Sequence, residues 1–152
     1  MKLRVAFLVS DHGFGHAGRD SGVVNALVNR GHYVHVCSGV PESFFRESCP
    51  GLQRHTHLKI DVGVVQSDAV TIDVPATSAA LAAYFAAAGR LEGDIVAALS
   101  AGQSEPFHVL LFDICALGPR VAKRLGIPVA AGMSNFSWDG KLFAAFCLCL
   151  CN

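Results

Sequence analysis

Apolar positions along this chain fall into short, dense runs that alternate with longer, periodic stretches. Residues 3–9, Leu-Arg-Val-Ala-Phe-Leu-Val, are almost continuously apolar, as a strand buried on both faces should be. The turn Asp11-His-Gly-Phe-Gly-His16 follows. A helix is predicted from about 17 to 30, with Val23, Val24, Leu27 and Val28 on one stripe. Gly31 then stands where a left-handed C-terminal cap belongs. Residues 33–37 predict the second strand, and Pro41 opens a short helix reaching about 48. Residues 52–61 predict a third strand with His55, His57 and Lys59 on one exposed face. Residues 62–77 show no clear period, and connections of that length inside compact domains are often functional. An Ala-rich helix is predicted from about 78 to 99. Its apolar positions Leu81, Tyr84, Phe85, Ala88, Leu91, Ile95, Val96 and Leu99 recur at helical spacing, and Gly89 and Gly93 weaken it locally. Residues 108–113 read as another buried strand. Leu117, Val121 and Leu125 mark a helix that Gly126 ends, and residues 127–131 form the last strand.

Strands that alternate with helices imply an α/β fold: a doubly wound parallel sheet with right-handed crossovers and helices on both faces. The expected Rossmann-like strand order is 3-2-1-4-5. No internal repeat, linker or low-complexity tract interrupts the pattern.

Composition narrows the function classes. The chain has 152 residues, one domain's worth, and 12 basic residues balance 12 acidic ones. Zero net charge gives no electrostatic case for binding nucleic acid or an anionic membrane. No segment has the roughly 20 apolar residues needed to span a bilayer. Mean hydropathy is +0.43, which fits either a well-buried parallel sheet or a face covered by a partner. The six cysteines lie at 37, 49, 115, 147, 149 and 151. None forms a Cys-x-x-Cys pair, so zinc-site spacing is absent. His55 and His57 have metal-pair spacing without an evident third ligand. Reduced thiols in a cytoplasmic protein are the expectation. The stretch 142–150, Leu-Phe-Ala-Ala-Phe-Cys-Leu-Cys-Leu, is expected to pack on the domain or to promote association.

Two positions carry candidate chemistry. In a doubly wound sheet, ligands bind outside the carboxyl ends of the strands, so the turn His12-Gly-Phe-Gly-His16 belongs in the cleft. Gly13 and Gly15 let a backbone approach a ligand closely, and a helix N-terminus offers N–H groups to an anion. The spacing is neither the dinucleotide fingerprint, which needs a third glycine, nor a P-loop. The glycine pair alone is weak evidence for a ligand, and the alternative is a tight turn chosen for sterics. His16 opens the following helix, and an imidazole there can accept a hydroxyl proton near neutral pH. Asp113 ends the fourth strand. With order 3-2-1-4-5 that strand neighbours the first, so Asp113 would meet His16 and fix its tautomer. His12 contacts phosphate or caps the turn.

These residues carry a resemblance. The turn ending in Gly15-His16, the stretch Arg30-Gly-His-Tyr-Val-His-Val36, and Phe112-Asp113 followed by Ala122-x-x-Leu125-Gly-Ile-Pro128 resemble the N-terminal half of the GT-B fold of glycosyltransferases. A closer resemblance is to the glycosyltransferase-like N-terminal region of plant L-arabinokinases. It rests on His12-Gly-Phe-Gly-His-Ala17, on Gly63-Val-Val-Gln-Ser-Asp-Ala69 with Thr71 and Asp73, and on Ser134-Asn-Phe-Ser-Trp-Asp139. The galactokinase-like kinase domain of those proteins, with its Gly-rich Ser-Ser-Ala loop, is missing from these residues, so no kinase activity is expected.

The resemblance implies an acceptor-side domain, residues 1–139, followed by an apolar, Cys-rich tail, 140–152, read as a truncated or altered end. It implies a part in nucleotide-sugar-dependent glycosyl transfer, incomplete without a donor-binding domain. His16 would be the general base and Asp113 its orienting partner. His12, Gly13, Gly15, Gln66, Asp68, Asn135, Ser137, Trp138 and Asp139 would bind substrate. For Gln66, Asp68 and Asp73 the alternative is solvated loop polarity. For Trp138 and Asp139 it is a packed side chain and a helix cap. The scheme needs no cofactor or metal, because the nucleotide sugar is itself the donor and helix N-termini of a second domain can hold the leaving diphosphate. Partners would be a sugar or sugar nucleotide and a donor-domain chain or second copy. The rival expectation is a non-catalytic sugar- or nucleotide-binding or regulatory module.

Overall fold

The computed structural model describes residues 1–133. Its five strands are β1 (Arg4–Leu8), β2 (Tyr33–Ser38), β3 (Arg54–His57), β4 (Val109–Asp113) and β5 (Val129–Met133). They form one sheet of order β3-β2-β1-β4-β5, and every pairing is parallel. This is the expected doubly wound topology.

β1 lies at the centre, and its alternate residues build the two cores. Ala6 and Leu8 face the side that also holds Cys37, Leu110 and Phe112. Onto that side pack α4 (Ala88–Ser100), through Ile95 and Leu99, and α5 (Gly118–Leu125), through Val121 and Ala122. Phe7 and Val9 face the opposite side with Val34 and Val36. That side is covered by α1 (Phe14–Asn29), through Ala17 and Val24, and by α2 (Glu42–Ser48), through Phe45. Period-two alternation sends successive side chains to opposite faces. Because both faces are covered, the strand reads as continuously apolar. Buried Glu92 on α4 pairs with Arg120 at 2.6 Å and Arg124 at 3.4 Å, tying α4 to α5.

Several predicted boundaries move. The helix expected from about 17 begins at Phe14, which places His16 inside its first turn. Gly31 takes φ +78°, the left-handed conformation its position called for. The last strand starts at Val129 rather than 127, because Pro128 has no N–H to give the ladder. The single helix expected over 78–99 is two helices, α3 (Val74–Ala86) and α4, that meet at Ala87. The break does not fall on Gly89 or Gly93. It falls where burial begins: no residue of α3 is buried, whereas α4 buries Ala88, Glu92, Ile95 and Leu99. α3 also starts earlier than 78, because the Asp73 side chain caps it by accepting from the Ala76 N–H at 2.9 Å.

The exposed histidine face expected on the third strand is only half right. His57 is exposed, but the His55 ring is half-buried against Phe45, 5.1 Å between centroids. Burial lowers the proton affinity of His55.

Candidate functional site

The site forms where β1 and β4 run side by side. Their register pairs Leu8 with Phe112, so the chain segments leaving both strands emerge together. After β1, Ser10 accepts from the His12 N–H through its hydroxyl at 3.2 Å. The chain then turns through Gly13, at φ +75°, a region that favours glycine. α1 starts immediately, with no side chain capping its N-terminus and no acidic residue in its first turn. His16 lies in that turn and is 7% exposed.

After β4 the chain bends as sharply. Ile114 has φ +57°, uncommon for a β-branched residue and a mark of a locally constrained backbone. Its N–H donates to the Met133 carbonyl at 3.1 Å. Just before this bend, the fully buried Asp113 carboxylate meets His16, with Nδ1 and Oδ2 2.5 Å apart. A carboxylate only accepts, so Nδ1 donates, and in the neutral ring Nε2 then carries the lone pair.

The other Asp113 oxygen is also engaged. Arg19 Nη2 lies 2.6 Å from Oδ1, and Arg19 Nε lies 3.1 Å from Oδ1 of Asp20. Asp20 is fully buried. Burial, followed by the charge of Asp113, pushes its carboxyl up to about 6, and Arg19 opposes the rise. Asp113 therefore stands between an imidazole and a guanidinium, and the guanidinium joins it to a second carboxyl.

A second carboxyl pair borders the site. Asp11 interacts directly with Asp61 from the segment after β3. Burial first, then the hydrogen bond with Asp61 and its charge, raise Asp11 to about 6, against the pull of Lys59. The Asp11 carboxylate lies against Gly39, where an added Cβ would come within 2.1 Å of Oδ2. His12 is exposed, and its ring lies on Gly63 so closely that a Cβ there would overlap it.

The remaining predicted residues divide. Gly13 and Gly15 are exposed in the turn and the first turn of α1. Gln66 pairs with Ile72 in an isolated antiparallel bridge. Asp68 accepts from the N–H groups of Val70 and Thr71 at 2.9 Å each, so its carboxylate organises its own loop. Asn135, Ser137, Trp138 and Asp139, with the apolar tail, lie outside the described residues. Among the described residues, no group of three or more His, Cys, Asp or Glu side chains is arranged to hold a metal, and no helix is long and apolar enough to cross a membrane.

Arg19 and Asp20 were not singled out from the sequence. Their signal was present: they lie three and four residues after His16, on the same helical face, and Asp20 is a carboxyl at a position that a helix turns inward.

No protein-family model matches the chain. Among solved structures, the glycosyltransferase of kitacinnamycin superimposes with a TM-score of 0.61 at 18% identity, covering 97% of this chain and 34% of that one. A UGT transferase from Siraitia grosvenorii, solved in complex with UDP, gives 0.53 at 24% identity, covering 89% of this chain and 28% of that one. The chain carries a GT-B glycosyltransferase-like fold. Its sequence is similar to L-arabinokinase from Arabidopsis thaliana, with 34% identity over 144 residues. That match takes in 90% of this chain and 13% of the arabinokinase, so the chain spans about an eighth of that relative.

Proposed function

We propose that the chain is the acceptor-side domain of a nucleotide-sugar-dependent glycosyl transfer, and that His16 is its general base. The observation that carries the reading is the 2.5 Å contact between His16 and buried Asp113 at the carboxyl edge of the sheet. His16 Nε2 takes the proton of an acceptor hydroxyl as that oxygen bonds to the anomeric carbon of the donor. The bond from the anomeric carbon to the diphosphate breaks, and its electron pair leaves with the nucleotide. Asp113 holds the ring by Nδ1 and stabilises the imidazolium that forms.

In this reading Gly13, Gly15 and His12 border the diphosphate or acceptor. Gln66 and Asp68, in the long connection, and Asn135, Ser137, Trp138 and Asp139, outside the described residues, are the further candidates for substrate binding. The donor is held by a second, donor-binding domain. We place the protein in the cytoplasm, in keeping with the buried thiols of Cys37, Cys49 and Cys115.

The test is reconstitution. The chain is joined to a GT-B donor-binding domain and supplied with UDP-sugars and hydroxyl acceptors. Turnover that requires His16 is the expected result. Saturable UDP-sugar binding without turnover would overturn it in favour of a binding module.

A further inference from the structure

The network behind His16 is longer than a two-residue dyad. Asp113 gives one oxygen to His16 Nδ1 and the other to Arg19 Nη2, while Arg19 Nε reaches Asp20. Asp20 and Asp113 are each fully buried. Oδ2 of Asp20 is shielded from water and has no hydrogen-bond donor among the described residues. Two ionised carboxylates buried together against one guanidinium leave an excess negative charge, which burial makes costly. The economical solution is one shared proton, as in other close carboxyl pairs.

We propose that Arg19 and Asp20 are positioning residues for His16: the guanidinium clamps Asp20 to Asp113, and the proton shared by the two carboxyls sets the charge that His16 Nδ1 faces. The assignment of His16 as a base rests on the function proposed above; the existence of the carboxyl pair does not.

The groups facing Asp20 are Asp113 from the end of β4 and Arg19 on its own helix, with His16 reached through Asp113. Their effects on Asp20 oppose each other. Asp113 raises it, Arg19 lowers it, and burial holds the result at about 6. As pH falls through that value Asp20 takes up a proton, and the negative charge held beside Asp113, which favours a cationic imidazole at His16, falls with it. The network is thus a charge-setting device within reach of neutral pH.

The experiment is a pH titration of the full chain by NMR, following the side-chain carboxyl carbons of Asp20 and Asp113 and the His16 Nδ1 resonance. In the unaltered chain, the Asp20 carbon is expected to titrate near pH 6, with the Asp113 carbon responding in the same step. Arg19→Met should move the Asp20 midpoint up, and Asp113→Asn should move it down. Asp20→Asn should alter the His16 Nδ1 resonance at pH 7.5, although Asp20 does not touch the ring. An Asp20 titrating in the ordinary carboxylate range, or an Asp113 carbon indifferent to the step, would overturn the proposal without any variant needing to fold. So would both substitutions shifting Asp20 in the same direction. In a reconstituted transferase, Asp20→Asn should shift the acidic limb of the kcat profile while leaving KM for the donor near its original value. Absence of turnover there bears on the transferase reading alone, because the titration needs no catalysis.

Discussion

Asp113 Oδ2 lies 2.5 Å from His16 Nδ1 although 97 residues separate them in sequence. The contact exists because β1 and β4 are hydrogen-bonded neighbours, so a helix starting just after β1 meets a carboxylate ending β4. Neither residue can reach the other along its own element.

If His16 is a base, its loss should be costly and selective. In a reconstituted two-domain transferase, His16→Ala is expected to lower kcat by about 10²–10⁴-fold, with donor binding little changed. Asp113→Asn keeps the shape but loses orientation and charge, and should cost a similar factor or less. Circular dichroism confirms folding of each variant. Near-normal turnover by folded His16→Ala would remove His16 from the role.

Two glycines near the site should respond to different degrees to a methyl group. A Cβ on Gly118 would lie 2.4 Å from the Phe112 ring, and that ring is fully buried in the core. Gly118→Ala is therefore expected to cost about 1–3 kcal/mol by overpacking, read from urea unfolding. A Cβ on Gly63 would overlap the ring of exposed His12, which can swing away. Gly63→Ala should leave the unfolding midpoint nearly unchanged while shifting the His12 ring resonances. Equal destabilisation by the two substitutions would contradict the packing described.

The Asp11–Asp61 pair should make alkaline conditions the less favourable ones locally. The folded chain holds Asp11 at about 6, against an ordinary value of 3.8. The stabilisation linked to its proton is complete below about 3.8 and is lost as pH rises through about 6. Asp61→Asn removes the like charge. It should raise the melting temperature at pH 8 relative to the unaltered chain, by more than it does at pH 5. A larger gain at pH 5 would reverse the sign and defeat the pairing.

His35 should act in the other direction. Its ring is fully buried and bonded through Nε2 to the Thr56 hydroxyl at 2.8 Å. Burial, with the charges of Arg54, His55 and Arg4 behind it, lowers the imidazole from 6.5 to about 4. The unfolded chain binds that proton first, so this contribution is full above about 6.5 and is lost as pH falls towards 4. Thermal unfolding of His35→Gln should show a shallower loss of stability across that window than the unaltered chain. An unchanged slope would mean that His35 is not the group responsible.

The chain's own sequence determined the layered architecture. Period-two and helical repeats report which face of an element is buried, and crossover handedness then limits how strands can be ordered. That was enough to place Gly13, His16 and Asp113 at one edge, because each stands at an element boundary that the pattern marks. It was not enough to find the break at Ala87. Apolar spacing runs unbroken from Leu81 to Leu99, and only docking on the sheet separates a helix that buries residues from one that buries none. Nor did the pattern show that His55 turns onto Phe45, because the facing side chain comes from another element. The pairing of Asp20 with Asp113, and of Asp11 with Asp61, was likewise decided by tertiary structure. A carboxyl's charge state depends on what burial and strand register bring within a few ångströms, and local sequence carries no record of neighbours that far along the chain.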